Sequence, residues 1–458
     1  MRRRAPGTTL RAVSPQPAPH QPFGGRSLHL VGIGGAGMSG LALVAKALGA
    51  RVTGSDRADS PYCERLRAAG IEPAIGHDAT NYPPGAELVV STAIPDDNPE
   101  LAAARAAGAH VLHRGDLLGE LSRMKRTIAV GGTHGKTTTA SMAAHMLLEA
   151  GRDPAFLIGG ELRSAGTNAA WGEGEWAVIE ADESDRSFLK LHRPVAVVTN
   201  VELDHHATYA SLRELEEAFA EFAEPAELLI LGPGVELDGR GRQVRFDVRG
   251  RVELLPGGSR FDVQGTEVEL RVPGRHNILN ALAAIAACRA AGVEPAEAAP
   301  ALATFTGAAR RFESHGRTAS GARIFDDYAH HPTEVRATLE AARTLTDGGK
   351  GRLVACFQPH LYSRTRLLAR EFGRALALAD LVVVLDVYPA RERAEDFPGV
   401  TGLLVAQAAA DAAGGRPVWW LPRIEDAERM LAAELEEGDI LLTMGAGDVD
   451  RLARGLAA

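Results

Sequence analysis

The stretch GGTHGKTTT, residues 131–139, is the segment that most directly predicts the fold. The apolar run IAV precedes it at residues 128–130, and the run ASMAA, which favours a helix, follows at residues 140–144. A strand, a glycine loop and a helix in this order direct backbone N–H groups into one concavity at the positive end of the helix. A lysine and a hydroxyl at the end of such a loop are typical of a site for a triphosphate and its magnesium ion.

This loop is shorter than the standard phosphate loop. The usual pattern requires a glycine five residues before the glycine of the Gly-Lys pair, and Val130 stands at that position. We therefore predict a shortened phosphate loop that ends in Lys136 and Thr137. The alternative is a glycine turn with a solvated lysine, and the agreement of strand, loop and helix argues against it.

Composition limits the class of protein. The chain has 458 residues, of which 45% are hydrophobic and 24% charged, so we expect a globular protein of two or three domains. The net charge of -9 gives no electrostatic support to a nucleic-acid partner. Three scattered cysteines predict neither a disulfide framework nor a zinc site and fit a reducing cytoplasm.

The sequence contains no feature that is typical of a membrane protein. No apolar run is long enough to cross a bilayer. Residues 1–26 are rich in arginine, proline and glycine and lack an apolar centre, so we expect a disordered tail rather than a secretory signal.

A second glycine loop lies near the start of the ordered chain. The strand predicted at residues 28–31 is followed by GIGGAG at 32–37 and by a helix predicted over 38–48. The next strand ends on Asp56, about 20 residues after the loop, as in a dinucleotide-type fingerprint. The alternative is a turn that needs glycine only for close packing. The polar run STAIP at residues 91–95 ends another predicted strand at the same edge of the sheet.

Acidic residues and histidines follow two strands of the second αβ unit. The run EADESD at residues 180–185 ends the strand WAVIE, and NVELDHH at 200–206 ends the strand VAVVT. A carboxylate at a strand end that faces a phosphate site can hold magnesium, and Glu180 is the first candidate. A solvated charge run is the alternative for the acids, and a structural role is the alternative for His205.

The rest of the second unit is less regular. Alternating residues at 244–248 and 268–272 predict an antiparallel appendage. Asn277 either caps the helix predicted over 278–290 or reads an adenine edge together with Asn280. The polar, glycine-containing stretch 313–321 predicts a linker.

A third αβ unit follows this linker. Apolar runs at residues 323–325, 353–357, 381–385 and 440–444 each end in polar residues, and a helix is predicted over 333–343. The carboxyl ends of parallel strands form the edge of a sheet that binds ligands. Ordinary loop polarity is the alternative for each motif taken alone.

Taken together, these motifs resemble those of the Mur ligase family, from about residue 28 to the C-terminus. The matching motifs, in chain order, are VGIGGAGMSG at 31–40, GTHGKTT at 132–138, EADESD at 180–185, DH at 204–205, GRHNILNA at 274–281, RRF at 310–312, DDYAHHPTE at 326–334 and FQPH at 357–360. The resemblance implies a three-domain α/β architecture. Its expected parts are the tail 1–26, a Rossmann-like domain 27–120 for a UDP substrate, a central ATP-binding domain of the P-loop type 121–318 and a Rossmann-like domain 319–458.

The resemblance also implies an amide-forming ligase, of the branch whose substrates are UDP-N-acetylmuramate and L-alanine. ATP would phosphorylate the lactyl carboxylate to an acyl phosphate, and the alanine amine would attack it. Because the carboxylate and the γ-phosphate are both anions, the site needs positive charge, which Lys136, Arg311 and magnesium can supply.

By matching motifs, the resemblance assigns residues to each ligand. The catalytic residues would be Lys136, Glu180, His205 and Arg311. ATP would bind Gly131, Gly132, Thr133, His134, Gly135, Lys136, Thr137, Thr138, Asn277, Asn280, Arg311 and Asp327. The UDP substrate would bind Gly32, Gly34, Gly35, Ala36, Gly37, Asp56, Ser91, Thr92, Thr167 and Asn168. Alanine would bind His360, Tyr362 and Arg364, and two Mg²⁺ ions would bind Thr137, Glu180 and His205. We expect a cytoplasmic monomer or homodimer with no nucleic-acid or membrane partner.

The chain departs from the family pattern at three places. It has no lysine between Lys190 and Lys350, so the carbamylated lysine of some Mur ligases is absent and His205 must carry more of the metal site. Leu361 stands where some relatives have a basic residue, which leaves the alanine carboxylate to Arg364. Ala170 stands where an arginine is often found.

Three alternatives stay open at this point. One is a recycling ligase that joins a ready-made tripeptide to the same UDP substrate; Ser184 favours the alanine branch, since the recycling branch tends to carry tyrosine there. A second is a nicotinamide-dependent oxidoreductase built on the first glycine loop, which leaves Lys136 unexplained. A third is a nucleotide-binding module without chemistry, which leaves the acids and histidines at 180–206 without a role.

Overall fold

The structure is a computed structural model that describes residues 21–346 and 351–458. Most of the predicted tail, residues 1–20, lies outside the described residues. The remainder of that tail is folded, because Phe23 is buried in the first hydrophobic core and Arg26 forms ion pairs with Glu87 and Glu120. The folded chain therefore begins before the predicted residue 27. No helix in the described ranges is both long and apolar enough to cross a membrane.

The first unit is a five-stranded parallel sheet with helices between its strands. Its strand order is β3-β2-β1-β4-β5, so the chain reverses direction across the sheet between β1 and β4. The elements are β1 Ser27–Val31, α1 Ala36–Ala47, β2 Arg51–Asp56, α2 Pro61–Ala68, β3 Ala74–Ile75, β4 Glu87–Val90, α3 Pro99–Ala106, β5 Val111–His113 and α4 Arg114–Ser122. A ligand crevice is expected at such a reversal point, outside the carboxyl ends of β1 and β4.

The second unit contains a seven-stranded sheet in the order β12-β11-β10-β6-β9-β7-β8, parallel except for β8. A three-stranded antiparallel sheet, β13-β14-β15, is attached to it. The elements are β6 Arg126–Gly131, α5 Lys136–Glu149, β7 Ala155–Leu162, β8 Thr167–Ala170, β9 Trp176–Glu180, β10 Val195–Val198, α6 Leu212–Ala223, β11 Leu228–Leu231, β12 Arg242–Arg245, β13 Val252–Leu255, β14 Gly258–Val263, β15 Thr266–Leu270, α7 Arg275–Cys288 and α8 Pro295–Thr304.

The third unit is a six-stranded sheet in the order β16-β17-β21-β18-β19-β20, parallel except for the edge strand β16. The elements are β16 Glu313–Arg317, β17 Arg323–Asp327, α9 Pro332–Arg343, β18 Leu353–Phe357, α10 Tyr362–Leu376, β19 Leu381–Val384, α11 Gly402–Ala412, β20 Val418–Trp420, α12 Ile424–Glu434, β21 Ile440–Met444 and α13 Asp450–Leu456. The predicted α/β class is confirmed, and the exact domain boundaries stay a prediction.

Helix α5 shows why the phosphate loop is held rigidly. It packs between β6, β7 and β9 of the sheet and the helices α7 and α8, so it is buried around most of its circumference. Small residues such as Ala140, Ala143 and Ala144 allow this close packing, and the Cys288 thiol of α7 reaches the Ala143 carbonyl oxygen. Because α5 is buried on most sides, packing against the sheet and two helices holds its N-terminus in place.

Two predictions of local structure are wrong. The run at 244–248 is not part of the antiparallel appendage, since β12 pairs in parallel with β11 and extends the central sheet. The predicted linker 313–321 contains β16, which pairs with β17. An edge strand needs only backbone hydrogen bonds along one side, so it shows little of the apolar periodicity by which buried strands are recognised.

Candidate active site

The phosphate loop lies between β6 and α5 and depends on two glycines. Gly132 has φ +123°, and a Cβ there would lie 2.0 Å from Thr199 Oγ1 at the end of β10. Gly135 has φ 80° and immediately precedes α5. The Thr133 and His134 N–H groups donate to the carbonyl and the side-chain oxygen of Asn200 at 3.0 and 2.9 Å. The loop is therefore fastened to the neighbouring strand end as well as to its own helix.

The Lys136 ammonium group is turned back onto this loop. Nζ donates to the carbonyl oxygens of Gly132 and Thr133 at 2.7 and 3.1 Å, and it lies 2.8 Å from a carboxylate oxygen of Glu183. Although burial alone would lower it, the pKa of Lys136 is raised by the charges of Glu183 and Asp182. The lysine is therefore protonated and carries a full positive charge at the rim of the loop.

Thr137 and Glu180 meet beside this lysine. The Thr137 hydroxyl donates to Glu180 Oε1 at 3.0 Å, and the Gly159 N–H donates to Oε2 at 2.7 Å. Burial raises the pKa of Glu180, and the Gly159 N–H with the charges of Lys136 and Arg311 offsets part of the rise. The Arg311 guanidinium donates to Thr137 Oγ1 at 3.3 Å, so a second cation stands at this point.

The remaining acids of the EADESD motif pair with bases from other elements. Arg114, at the start of α4, lies 3.1 Å from Asp182 and 2.9 Å from Asp185, which links the first unit to the second. Glu183 is fully buried and forms ion pairs with both Lys136 and His205; its Oε1 lies 3.3 Å from His205 Nε2. His205 thus faces Glu183 rather than Glu180 in this structure.

A cavity of about 390 Å³ collects these groups. Its lining includes all four residues predicted to be catalytic, Lys136, Glu180, His205 and Arg311. The predicted site residues that border it are Ala36, Gly37, Thr133, Gly135, Lys136, Thr137, Glu180, His205, Arg311, His360 and Arg364. All three units therefore contribute to one cavity at the carboxyl ends of their strands.

A neighbouring cavity of about 270 Å³ lies between the second and third units. The predicted ATP residues that border it are His134, Gly135, Thr138, Asn277, Asn280, Arg311 and Asp327, and its other walls include Phe246 and Val272. Gly135 and Arg311 border both cavities, so the two adjoin at the phosphate loop. Gly131 and Gly132, at the start of the loop, border neither cavity.

Three side chains expected to bind the adenosine part of ATP are held by local bonds. Asn277 lies inside the first turn of α7, which begins at Arg275, so it is not the residue that precedes the helix; its amide donates to the Pro273 carbonyl at 2.7 Å. Asn280 donates to Asn277 Oδ1 at 3.0 Å. Asp327 accepts two backbone N–H groups at 2.8 Å, and burial raises its pKa to about 6.

His134 is the centre of a charged cluster that joins the second and third units. Its ring nitrogens lie 3.3 Å from Glu202 and 3.3 Å from Glu334 of α9, and its ring packs on His331. Burial alone would lower its pKa, but hydrogen bonds to the two carboxylates raise it to about 9. His134, Glu202 and His331 lie close enough to hold a metal ion. Because both nitrogens of a protonated His134 carry hydrogens, the cluster is better described as an ion-pair network.

The residues predicted for alanine are not brought together equally. Arg364 donates to Asp204 through Nε and Nη2, with a shortest distance of 2.7 Å, and both side chains are buried. His360 borders the cavity and stacks on Tyr388, and burial lowers its pKa to about 3. Tyr362 does not border the cavity, because its ring stacks on Phe397.

The residues predicted for the UDP substrate are spread along the first unit. Asp56 accepts the Gly34 N–H at 2.9 Å, so the glycine loop and the strand end meet as predicted for such a fingerprint. Ala36 and Gly37 border the larger cavity, whereas Gly32, Gly35, Ser91 and Thr92, which follow β1 and β4, do not. Asn168 donates to the Ala36 carbonyl at 2.7 Å and joins the units; neither it nor Thr167 borders that cavity.

Comparison with known proteins assigns the class. Residues 27–126 match the family model described as Mur ligase family, catalytic domain; residues 130–231 match the Mur ligase middle domain; and residues 310–447 match the Mur ligase, glutamate ligase domain. The chain belongs to the Mur ligase family.

Individual relatives narrow the comparison. The chain is 45% identical to a UDP-N-acetylmuramate–L-alanine ligase of Rubrobacter xylanophilus over 450 residues, 94% of this chain and 99% of the relative. It is 47% identical to the ligase of the same name from Streptomyces coelicolor, over 93% of this chain and 95% of the relative. Among solved structures, UDP-N-acetylmuramate–alanine ligase from Thermotoga maritima superposes with a TM-score of 0.80 at 29% identity, covering 94% and 98% of the two chains. A murein peptide ligase from Psychrobacter arcticus superposes with a TM-score of 0.70 at 25% identity over the same shares.

Several functional positions were not singled out from the sequence. Arg114, Glu183, Asp204, Glu202 and Glu334 each hold another site residue in place. The acids at 182–185 and 202–204 carried a signal, since they cluster at strand ends. Glu334 ends the DDYAHHPTE motif, but the local sequence assigns a role neither to it nor to Arg114, because their partners lie in another unit.

Proposed function

We propose that this chain joins L-alanine to the lactyl carboxylate of UDP-N-acetylmuramate with consumption of ATP, a step in the synthesis of peptidoglycan precursors. The observation that carries the proposal is the shared cavity, which is bordered by the phosphate loop, by Gly37 of the first unit and by His360 of the third. Such a cavity can bring an acid, a triphosphate and an amine together. The relatives of the same length and the Thermotoga maritima ligase support the choice of substrates.

Phosphate transfer is the first step. One oxygen of the lactyl carboxylate attacks the γ-phosphorus of ATP, the bond from that phosphorus to the β,γ-bridging oxygen breaks, and ADP leaves. Two anions approach each other in this step, and Lys136 and Arg311 place positive charge beside them. Since the three hydrogens of Lys136 Nζ are already directed at Gly132, Thr133 and Glu183, a bound phosphate would replace one of these acceptors.

Amide formation is the second step. The free amine of alanine attacks the carbonyl carbon of the acyl phosphate and gives a tetrahedral intermediate. The intermediate collapses by breaking the carbon–oxygen bond, so the released phosphate keeps the oxygen that came from the carboxylate. Exclusion of water from the cavity during the reaction would protect the acyl phosphate from hydrolysis between the two steps.

The residues present suit magnesium. Thr137 Oγ1 and Glu180 Oε1 lie 3.0 Å apart at the cavity, and hydroxyl and carboxylate oxygens are ligands that Mg²⁺ prefers. We propose that Thr137 and Glu180 hold one ion and that Glu180 and His205 hold a second. When bound, magnesium would neutralise charge on the phosphate oxygens and the carboxylate. The nucleotide would occupy the smaller cavity with Asn277, Asn280 and Asp327 at its walls.

Phosphate release from ATP by the purified full chain tests the proposal. We expect release only when UDP-N-acetylmuramate, L-alanine and Mg²⁺ are all present, and chelation of Mg²⁺ should abolish it. Glycine and L-serine in place of alanine measure the strictness of the site. Turnover with the tripeptide and none with alanine would instead assign the chain to the recycling branch. Cytoplasmic location and a monomeric or dimeric state stay predictions.

A further inference from the structure

The charges of the arginines around the larger cavity are not equally available to a ligand. Five arginines border it: Arg114, Arg310, Arg311, Arg364 and Arg391. Arg114 is neutralised by Asp182 and Asp185, Arg310 by Asp326, and Arg364 by Asp204. Arg311 and Arg391 have no carboxylate oxygen of the described residues within 4.0 Å. Two positive charges thus remain for the anions that the reaction brings into this cavity.

These two arginines stand at different parts of the cavity wall. Arg311 donates to Thr137 Oγ1 next to the phosphate loop, so its charge serves phosphate transfer. Arg391 belongs to the loop after β19 in the third unit and is exposed. That loop lies against the segment that carries His360, because His360 and Tyr388 form a β-bridge and stack with their ring centroids 5.8 Å apart.

None of the three residues first expected to bind the alanine carboxylate supplies free positive charge. Arg364 is engaged by Asp204 in a buried ion pair, with 2.7 Å between Arg364 Nη2 and Asp204 Oδ1. His360 is neutral because burial lowers its pKa to about 3. Tyr362 is turned toward Phe397, and Leu361, at a position that is basic in some relatives, has an apolar side chain.

The backbone that carries Arg391 is fastened on both sides. Before it, the Leu361 N–H donates to the Tyr388 carbonyl at 3.0 Å and the Tyr388 N–H donates to the Pro359 carbonyl at 2.8 Å. After it, the Glu392 carboxylate accepts the Ser363 N–H at 2.9 Å in the first turn of α10. A guanidinium on such a fixed loop can bind a carboxylate through two parallel hydrogen bonds with little loss of entropy.

We propose that Arg391 binds the α-carboxylate of the incoming amino acid, in place of a basic side chain at position 361. This inference rests on the proposed function, since it names a contact for the amino acid of that reaction. Arg364 then acts as a positioning residue that joins the third unit to Asp204. Arg391 supplies the positive charge that selects an α-amino acid over an amine that lacks the carboxylate.

Steady-state kinetics of Arg391→Ala, with each substrate varied in turn, test the assignment. We expect the KM for L-alanine to rise about 10- to 100-fold, since a hydrogen bond to a charged group is lost. The KM values for ATP and for UDP-N-acetylmuramate should change less than about threefold. L-Alaninamide, which lacks the carboxylate, is the decisive probe. The preference for alanine over alaninamide in kcat/KM should fall by the same factor as the alanine KM rises, and Arg391→Lys should keep part of it.

Arg393→Ala is the matched control, since Arg393 lies in the same loop, is exposed and, among the described residues, pairs with Asp396 alone. It removes the same charge and should leave the alanine KM unchanged. An unchanged alanine KM in Arg391→Ala, an equal loss for alanine and alaninamide, or a rise confined to the KM of ATP would each overturn the inference. Wild-type protein that does not turn over alanine at all would instead overturn the proposed function, and this inference with it.

Discussion

Lys136 is the residue whose loss should separate binding from chemistry. Its ammonium lies at the rim of the phosphate loop, and no other lysine borders either cavity within the described ranges. We predict that Lys136→Ala lowers turnover about 1,000-fold, because the charge that meets the γ-phosphate is removed. Binding of UDP-N-acetylmuramate, measured by calorimetry, should persist because most of the residues proposed to bind that substrate lie in the first unit.

The control for this substitution must deal with Glu183. Without Lys136 the buried Glu183 carboxylate keeps only His205 as a partner, and breaking a buried pair costs about 3–5 kcal/mol. The double variant Lys136→Met/Glu183→Gln should recover thermal stability without recovering turnover. Lys190→Ala, which removes an exposed lysine paired with Asp116, should change neither. Simultaneous loss of UDP-substrate binding and of turnover in the double variant would contradict the role assigned to Lys136.

Some residue contacts follow from sequence and others do not. Glu180 and Lys136 lie close together because β6 and β9 are adjacent parallel strands. The carboxyl ends of such strands share one edge of the sheet, so the sequence predicts this contact. The pairing of Arg364 with Asp204 joins residues 160 positions apart in different units. No local pattern encodes such a contact, since it depends on how two separately folded sheets dock.

At the scale of elements, the phosphate loop should tolerate no side chain at position 132. A Cβ on Gly132 would lie 2.0 Å from Thr199 Oγ1 and 2.8 Å from the Thr199 backbone nitrogen, and φ is +123°. We predict that Gly132→Ala lowers turnover at least about 100-fold and lowers stability by about 2–4 kcal/mol, since loop and strand end must separate. Turnover and denaturant unfolding measure the two effects.

Gly166→Ala is the matched control. Gly166 also has positive φ, +65°, but no atom lies within 4 Å of the position of its Cβ. The Gly166→Ala variant should be less stable by the conformational cost alone, about 1–2 kcal/mol, and should keep its turnover. Equal loss of turnover in both variants would mean that the effect is general strain rather than the fit of the loop against β10.

Elements with a strong apolar pattern are the ones that sequence predicts well. The strands that carry the site, β6, β9 and β10, are apolar runs buried on both faces, and each ends in the expected polar motif. The edge strands β12 and β16 are largely exposed, so their sequences lack the apolar pattern by which a strand of a central sheet is predicted. Pairing partners of edge strands are decided by tertiary packing, which local alternation does not contain.

At the scale of the whole molecule, buried charged contacts join the three units around the cavity. Arg114 connects the first unit to the acids of the second, and Asp204 and His134 connect the second unit to the third. Because the residues proposed for ATP and for the amino acid belong to different units, the proposed reaction requires these units to come together. The contacts that hold them are charged, so their strength should depend on pH.

The His134 pair gives the clearest pH dependence. The pKa of His134 is raised to about 9, whereas that of Glu202 is lowered to about 2 and that of Glu334 well below its usual range, so of these three groups the histidine alone changes charge as the pH rises through about 9. The neighbouring His331 is neutral, since its pKa is lowered to about 4. Because folding raises this pKa, the His134 ion pairs contribute their full stability to the folded protein below the ordinary pKa of about 6.5. This contribution is lost as the pH rises through about 9. The gain is at most about 3 kcal/mol.

We therefore predict that wild-type protein exceeds His134→Gln in thermal stability at pH 6.5 and that the difference shrinks by pH 9.5. Scanning calorimetry of both proteins at several pH values measures it. His110→Gln is the control, because His110 is 69% exposed and pairs with Glu87 at the surface. A difference between wild type and His134→Gln that stays constant from pH 6.5 to pH 9.5 would show that the ion pairs are not its source.

The proposed mechanism requires that phosphate passes from ATP to the substrate carboxylate in one cavity before the amine attacks. Isotope transfer tests it directly, with UDP-N-acetylmuramate labelled with ¹⁸O in the lactyl carboxylate, together with ATP, Mg²⁺ and L-alanine. Mass spectrometry of the released phosphate should find one labelled oxygen per turnover, since the carbon–oxygen bond breaks when phosphate leaves. Amide product accompanied by unlabelled phosphate would contradict an acyl-phosphate intermediate and, with it, the mechanism proposed for this cavity.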